Sequence, residues 1–226
     1  MKTSLRGMLA IINEEAVVLS TYRDSGGVPT IGVGHTASAG GLVPKPGNRM
    51  TVVQAFVLFR NDLVKFERHV LASVKRPLKQ HEFDALVDFD FNTGAIEGGT
   101  VDDKLDGGRI AAAMATLQQY EKDNGRKMKG LDKRRDMEEA MFLRAEYPVV
   151  THIKVYDRYP GKVRLVPLSE IDLPADWYEP QMPVGGVSPV PAPDTPETAP
   201  TPAPAKPRGL LAALIDLIMS IFRRRT

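Results

Sequence analysis

The distribution of proline constrains this chain more than any other feature of its sequence. Ten of the 18 prolines fall between Pro180 and Pro207, mixed with Ala, Thr, Ser, Glu and Asp. A segment of this composition cannot bury a core and is typical of an extended, semi-rigid linker. We therefore divide the chain into a main domain at 1–147, an extension at 148–178, a linker at 179–208 and a C-terminal segment at 209–226.

Before the linker, apolar residues recur mostly at helical spacing. The first helical pattern comprises Leu5, Met8, Leu9, Ile12, Ala16 and Leu19. A glycine-rich stretch at 24–36 breaks this pattern with short β-prone pieces, which predicts a small hairpin or meander. Helical patterns return after Thr51, before an Asn92-Thr93-Gly94 stop, and at 110–120 and 132–143. This order predicts an α+β fold, predominantly α, with a small β region after the first helix and a helical bundle after that region.

The extension allows two interpretations. Residues 149–156 and 162–167 flank Tyr159-Pro160-Gly161 and are typical of a β-hairpin. Trp177, the only tryptophan, comes just before the linker and is placed to pin the extension to the main domain. A loosely packed surface extension fits the same residues equally well.

Composition excludes several classes of protein. Lys and Arg number 30 against 28 Asp and Glu, so the net charge of +2 excludes a strongly basic nucleic-acid binder. The chain has no cysteine and its four histidines lie far apart, which predicts no metal site. Lys2 and Arg6 precede only five apolar residues, Met8–Ile12, whereas a secretory signal needs about 7–15. We therefore predict no signal peptide, and no stretch reaches the roughly 18 apolar residues of a spanning helix.

Two carboxyl groups near the N-terminus lie in contrasting surroundings. Glu15 follows Ile12 by three residues and Met8 by seven, which puts it at the edge of the apolar stripe of the first helix. Partial burial there favours the neutral carboxyl and is expected to raise its pKa, whereas Glu14 is predicted to be solvated. Asp24, in a Ser- and Gly-rich turn, is expected to stay ionised. Glycoside hydrolysis uses such a pair, although spacing alone fits two structural carboxyl groups better.

A longer stretch around these carboxyl groups resembles a known active site. Thr30 follows Asp24 by six residues, where its hydroxyl is able to hold a water. The stretch resembles the signature of the phage-type lysozymes, the endolysins of glycoside hydrolase family 24. The residues that match are Glu15, Tyr22-Arg23-Asp24, Gly27 and Thr30-Ile31-Gly32-Val33-Gly34-His35. Two later segments resemble the family's central and late helices: Gln80–Val87 with Phe91-Asn92-Thr93-Gly94, and Gly130–Glu138.

The resemblance covers residues 1–146 and implies a lysozyme-like fold. It makes Glu15 the general acid that protonates the glycosidic oxygen. It makes Asp24 the carboxylate on the opposite face, which activates or electrostatically supports a water that Thr30 helps to position. Ala16, where the family often has Gly, departs from the pattern without touching these groups.

The resemblance also implies roles for the residues around the carboxyl groups. Thr36 and Phe91 are expected to line the sugar cleft. Structural support of the site is expected from Tyr22, Gly32, Gly34 and His35. The segment 99–101 reads Gly-Thr-Val where many relatives have Ser-Thr-Leu, so the resemblance is weaker on the far side of the cleft.

The implied reaction is hydrolysis of the β-1,4 bond between N-acetylmuramic acid and N-acetylglucosamine in peptidoglycan. Attack by water with inversion would require carboxyl groups roughly 6.5–9.5 Å apart. A lytic transglycosylase that releases anhydro-sugars is the alternative chemistry. The resemblance further implies no metal or organic cofactor and a monomer. The enzyme would stay in the host bacterial cytoplasm until a holin-type pore gives access to the cell wall at lysis.

The C-terminal segment 209–226 combines an apolar helical pattern with three terminal arginines. About 13 apolar-dominated residues are too few to span a bilayer but suit an interfacial helix on an anionic membrane. Folding back on the domain, or association with a second copy, is the alternative. At the level of the whole protein, two further functions compete with the enzyme. These are a catalytically silent wall-binding or virion-structural module, and a membrane-active protein whose tail kills.

Overall fold

A computed structural model describes residues 1–98, 100–123 and 126–177. This part of the chain contains six α-helices and a small sheet, so the predicted α+β, mostly α fold is confirmed. The predicted linker at 179–208 and the helix at 209–226 lie outside the described residues. Within the described residues, no helix is both long and apolar enough to cross a membrane.

The helices and strands alternate unevenly along the chain. The helices are α1 Leu5–Glu15, α2 Val52–Ser73, α3 Gln80–Thr93, α4 Asp102–Asp106, α5 Ile110–Leu117 and α6 Lys129–Arg144. The strands are β1 Val17–Arg23, β2 Pro29–Gly32, β3 His35–Thr36, β4 Lys122–Asp123, β5 Arg126–Lys127, β6 His152–Tyr156 and β7 Val163–Pro167.

The first helix is shorter than its apolar pattern predicts. Ser4 caps its start, since its side chain accepts from the Gly7 amide, and the helix ends at Glu15. Ala16 then adopts a φ of 60° and a ψ of 177°, which turns the chain into β1. The prediction of a helix through Leu19 is therefore wrong. β-strands also accept alternating apolar residues, and here the pairing of β1 with strands on both sides outweighs the helical pattern.

Local signals set the ends of the two long central helices. Thr51 caps α2 in a reciprocal box with Gln54, whose side chain accepts from the Thr51 amide at 2.8 Å. Gly94 ends α3 in the left-handed conformation at φ 62° and ψ 26°, as the Asn-Thr-Gly stop indicates. The start of α2 and the end of α3 are each set by residues within three positions of that helix end.

The described strands of the main sheet lie in the order β3-β2-β1-β6-β7. β1 pairs antiparallel with β2 but parallel with β6, while β6 and β7 form an antiparallel hairpin. The extension also reaches the main core, to which it contributes the buried residues Ile153, Val155, Val166, Ile171 and Leu173. Trp177 is partly buried against the same core.

Asp84 joins the N-terminus to α3 from a fully buried position. It accepts hydrogen bonds from the Ser4 amide, the Ser4 hydroxyl, Gln80 and the Tyr147 hydroxyl. Four donors offset the cost of burying this carboxyl group. Gly7 faces it so closely that a Cβ on Gly7 would lie 2.7 Å from the Asp84 Cγ.

We expect Gly7→Ala to destabilise the protein by about 1–3 kcal/mol, because Asp84 is held by four hydrogen bonds and is unable to move aside. Alanine is otherwise the better helix former by roughly 0.5–1 kcal/mol. Urea denaturation of the variant and the wild type measures the difference. An unchanged or raised midpoint would show that the contact between α1 and α3 tolerates a methyl group.

Candidate active site

Glu15 ends α1 at the floor of a cleft. Its side chain is only 1% exposed, which is deeper than the edge of the apolar stripe suggested. Glu14, predicted to be solvated, is half-buried, so that prediction is wrong. Burial raises the pKa of Glu14, with the charges of Asp88 and Glu15 adding to the rise and those of Arg134 and Lys154 opposing it.

A buried guanidinium holds the Glu15 carboxyl group. Arg134, on α6, donates from Nη1 to Glu15 Oε1 at 2.6 Å. Its Nε and Nη2 donate to the same oxygen of Asp88, on α3, at 2.8 and 2.6 Å. Arg134 and Asp88 are fully buried, so each charge depends on the others for its solvation.

Arg135 and Glu138 form a second layer beside this group. Arg135 donates from Nη2 to Glu138 at 2.5 Å and to Asn92 at 3.0 Å. Burial raises the pKa of Glu138 to about 8, against the attraction of Arg135, whereas burial lowers the pKa of Arg135. The two arginines and the carboxyl groups of Glu15, Asp88 and Glu138 thus form one buried cluster.

Sequence reasoning placed these residues in a family motif but gave them no role. One usable signal was the spacing of the two arginines and Glu138 within the late helix. Another was the presence of Asp84 and Asp88, four residues apart, among the apolar residues of the central helix. A charged residue at a core position of a helix requires a partner, but neither signal identifies Glu15 as that partner.

Asp24 lies directly after β1, at the tip of the β1–β2 hairpin. Its Oδ1 accepts from the amides of Gly26 at 2.9 Å and Val28 at 2.8 Å. Its own amide donates to the Val28 carbonyl at 3.0 Å, and Gly27 takes a φ of 78° to close the turn. All these bonds join residues of the same turn, so they fix the Asp24 carboxylate relative to the turn and not relative to the rest of the domain.

Tyr22 and Thr30 lie on the two strands that flank the Asp24 turn. They face each other across β1 and β2, and both are buried. The Thr30 hydroxyl donates to the Val28 carbonyl at 3.0 Å, which leaves its oxygen able to accept from a water. Burial raises the pKa of Tyr22, and the negative charges of Glu15 and Asp24 raise it further, so Tyr22 lies within the field of both carboxyl groups.

His35 clamps the loop that follows β3. Its Nδ1 lies 2.9 Å from Asp62 Oδ2, and its Nε2 lies 2.7 Å from the Leu42 carbonyl. Both neighbours are acceptors, so both ring nitrogens donate only when the imidazole is charged. Burial lowers the pKa of His35, but the bonds to Asp62 and Leu42 outweigh it and the net shift is upward. Gly32 and Gly34, at φ values of 67° and 70°, turn the chain on either side of Val33.

The cleft above Glu15 opens to solvent, and its volume of about 480 Å³ includes part of that open space. Its lining residues are Glu15, Val33, Gly34, Thr36, Ser38, Ala39, Asp62, Lys65, Phe66 and Phe91. The structure thus brings Thr36 and Phe91 to one cleft with Glu15. Asp24 and Thr30 are not among its lining residues and stand on the hairpin side. Among the described residues, no group of three or more acidic or histidine side chains is placed to hold a metal ion.

Comparison with known proteins gives the family of this chain. The sequence model of the phage lysozyme family covers residues 12–138. The chain belongs to the phage lysozyme family. It is 35% identical to the endolysin of Salmonella phage P22 over 145 residues, which are 63% of this chain and 99% of that protein. It is therefore a lytic enzyme that degrades bacterial peptidoglycan and acts at the cell wall.

Solved phage lysozyme structures share the fold. The endolysin of Escherichia coli O157:H7 phage FAHEc1 is 34% identical and superposes with a TM-score of 0.59 over 66% of this chain and 98% of its own. The muramidase domain of SpmX from Asticaccaulis excentricus is 31% identical, with a TM-score of 0.55 over 63% of this chain and 97% of its own. Each relative is matched almost over its full length, so the chain contains a whole lysozyme domain.

We expect Asp62→Asn to destabilise the enzyme by about 3–5 kcal/mol at pH 5–6, because it leaves a buried imidazolium without its counter-charge. The pKa of His35 is raised in the folded state, so the contribution of the pair is complete below about pH 6.5 and is lost as pH rises through the folded pKa. Urea denaturation between pH 5 and 9 should show the difference shrinking. The exposed control His152→Gln should keep the wild-type pH dependence, and a constant Asp62→Asn penalty would contradict the charged pair.

The raised pKa of Glu138 makes a second pH-dependent prediction. The folded state keeps the proton up to about pH 8, whereas an ordinary Glu loses it near 4.5. Wild type should therefore lose stability relative to Glu138→Gln as pH rises from 5 to 8, by at most about 1.4 kcal/mol per pH unit. Glu146→Gln, at an exposed carboxyl group, is the control. Parallel stability curves for wild type and Glu138→Gln would show that Glu138 is ionised in the folded state.

Proposed function

We propose that the enzyme is a muramidase that hydrolyses the β-1,4 bond between N-acetylmuramic acid and N-acetylglucosamine. The observation that carries the proposal is the Glu15 carboxyl group, buried at the floor of the cleft and oriented by Arg134. Family membership supports a glycosidase, and no cofactor enters the reaction.

Glu15 acts as the general acid in this proposal. A glycan chain in the cleft lies against Thr36 and Phe91, with its glycosidic oxygen above Glu15. Proton transfer from Glu15 to that oxygen breaks the bond to the leaving sugar, and a positioned acid of this kind contributes about 10²–10⁴-fold to the rate. Arg134 then stabilises the carboxylate that remains, because its guanidinium is already in contact with it.

Asp24 and Thr30 serve the opposite face of the sugar. The Asp24 carboxylate is held by two backbone amides on one oxygen, so its second oxygen is available to a water. The Thr30 hydroxyl accepts a hydrogen bond from the same water and aligns it for attack at the anomeric carbon. Attack from this face inverts the configuration at the anomeric carbon, and the proton of the water passes to the Asp24 carboxylate. Proton exchange with solvent then returns Asp24 to the carboxylate and Glu15 to the acid.

Access to the wall belongs to the same proposal. The net charge of the segment 209–226 and its apolar pattern support docking on an anionic membrane. Release through a holin-type pore would then bring the enzyme, acting as a monomer, to the wall.

Glu15→Gln tests the acid directly. We expect the variant to lose about 10²–10⁴-fold of its turnover of purified peptidoglycan, because glutamine keeps the shape but supplies no proton. Asp88 still pairs with Arg134 in the variant, and circular dichroism at the assay temperature checks that it is folded. Glu14→Gln is the matched control, since Glu14 is adjacent and does not line the cleft, and it should retain most activity.

Mass analysis of the products distinguishes hydrolysis from lytic transglycosylation. Reducing N-acetylmuramic ends from wild type support hydrolysis, whereas anhydro-sugar ends would assign a lytic transglycosylase. Equal activity of wild type and Glu15→Gln would remove Glu15 as the acid. Wall binding without cleavage by wild type would favour a silent binding module.

A further inference from the structure

The hairpin of β6 and β7 lies beyond the family match, which ends at residue 138. It joins the lysozyme sheet through β1, the strand that leads to Asp24. The pairing is parallel, with Val17 opposite Val155 and Val18 opposite Tyr156. An element outside the matched family region is thus built onto the strand that carries one of the two candidate catalytic groups.

The β6–β7 hairpin contacts the candidate active site through tyrosine rings. The Tyr159 ring meets the Tyr22 ring edge-on, with 5.2 Å between centroids, and meets the Tyr156 ring at 5.5 Å. With Val18, these three tyrosines form a small apolar cluster separate from the main core, which we call the tyrosine cluster. Tyr22 is only 6% exposed, and the ring in edge-on contact with it is that of Tyr159.

Tyr22 is the link from this cluster to the reacting groups. It precedes Asp24 by two residues, pairs with Thr30 across the sheet, and senses the charges of both Glu15 and Asp24. The regular pairing of β1 with β2 is interrupted between Val18 and Tyr22. Residues 19–21 of β1 bond instead to the segment 48–50, and pairing with β2 resumes at Tyr22. Packing on Tyr22 therefore acts at the point where the β1–β2 ladder resumes.

We propose that Tyr159 is a positioning residue for catalysis, which packs on Tyr22 and thereby holds the end of β1 and the Asp24 turn in place against Glu15. The inference rests on the proposed function of Asp24. The turn orients the Asp24 carboxylate by local bonds only, so its location relative to Glu15 depends on the strand that carries it. A displacement of about 1 Å at a catalytic group is able to cost 10²-fold in rate.

The contact on which the inference rests is between the rings of Tyr159 and Tyr22. Tyr159→Phe should therefore behave as wild type, whereas Tyr159→Ala removes the contact. The alternative role, direct stacking of Tyr159 on a sugar, makes a different kinetic prediction. Loss of such binding raises KM and leaves kcat unchanged, whereas misplacement of Asp24 lowers kcat at nearly constant KM.

The test measures kcat and KM on soluble, uncrosslinked peptidoglycan chains at 25 °C, with the melting temperature of each variant. We expect Tyr159→Ala to lower kcat about 10–100-fold with KM within about twofold, and Tyr159→Phe to restore kcat. Tyr159→Leu, which keeps apolar bulk, provides a second variant if the alanine variant does not fold, and it should also lower kcat. Val166→Ala is the matched stability control, because Val166 is buried in the same hairpin but belongs to the main core; it should lower the melting temperature and keep kcat.

Four outcomes would overturn the inference: unchanged kcat in Tyr159→Ala, a rise in KM alone, failure of Tyr159→Phe to restore kcat, or an equal loss of kcat in Val166→Ala. Glu15→Gln, assayed beside them, separates this inference from the proposed function. If Glu15→Gln is inactive and Tyr159→Ala is fully active, only the positioning role fails. If wild type itself releases no reducing ends, the proposed function fails and the inference fails with it.

Discussion

The ion cluster around Arg134 is the interaction on which the rest of this structure depends. Arg134 comes from α6, Asp88 from α3 and Glu15 from the end of α1, so three helices meet at one guanidinium. A buried charge without a partner costs several kcal/mol, and none of the three is tolerated alone. The helices must therefore pack together before Glu15 is able to occupy the floor of the cleft. The packing of the three helices that stabilises the fold is therefore also the packing that places Glu15.

The site has a helical half and a sheet half with different kinds of support. Glu15 is held by Arg134, a residue distant in the sequence, at the floor of the cleft, whereas Asp24 is held by amides of its own turn near the surface. Ala16 joins the halves, since its positive φ ends α1 and begins β1. The two carboxyl groups accordingly sit in contrasting environments, one buried and one near the surface.

The sheet half is stabilised from both sides. On one side the charged His35–Asp62 pair holds the loop at Leu42 beside the cleft. On the other side the hairpin of the extension covers Tyr22 and adds a parallel strand to β1. Neither support touches a reacting atom in the described structure. Both contact the strands that lead to Thr30 and Asp24 or the loop beside those strands.

Sequence alone determined the features that depend on neighbours within a few residues. The Thr51 cap, the Gly94 stop, the Asp24 turn and the class of the fold all follow from short-range signals, and the motif around Glu15 identified the family. Tertiary structure decided the rest. The apolar pattern of α1 continues through Leu19, yet pairing in the sheet makes those residues a strand. The partner of Glu15 lies 119 residues away, and local spacing carries no information about which buried charge it meets. The burial of Glu14 and the parallel docking of β6 on β1 likewise depend on packing between distant segments, which no pattern within one segment specifies.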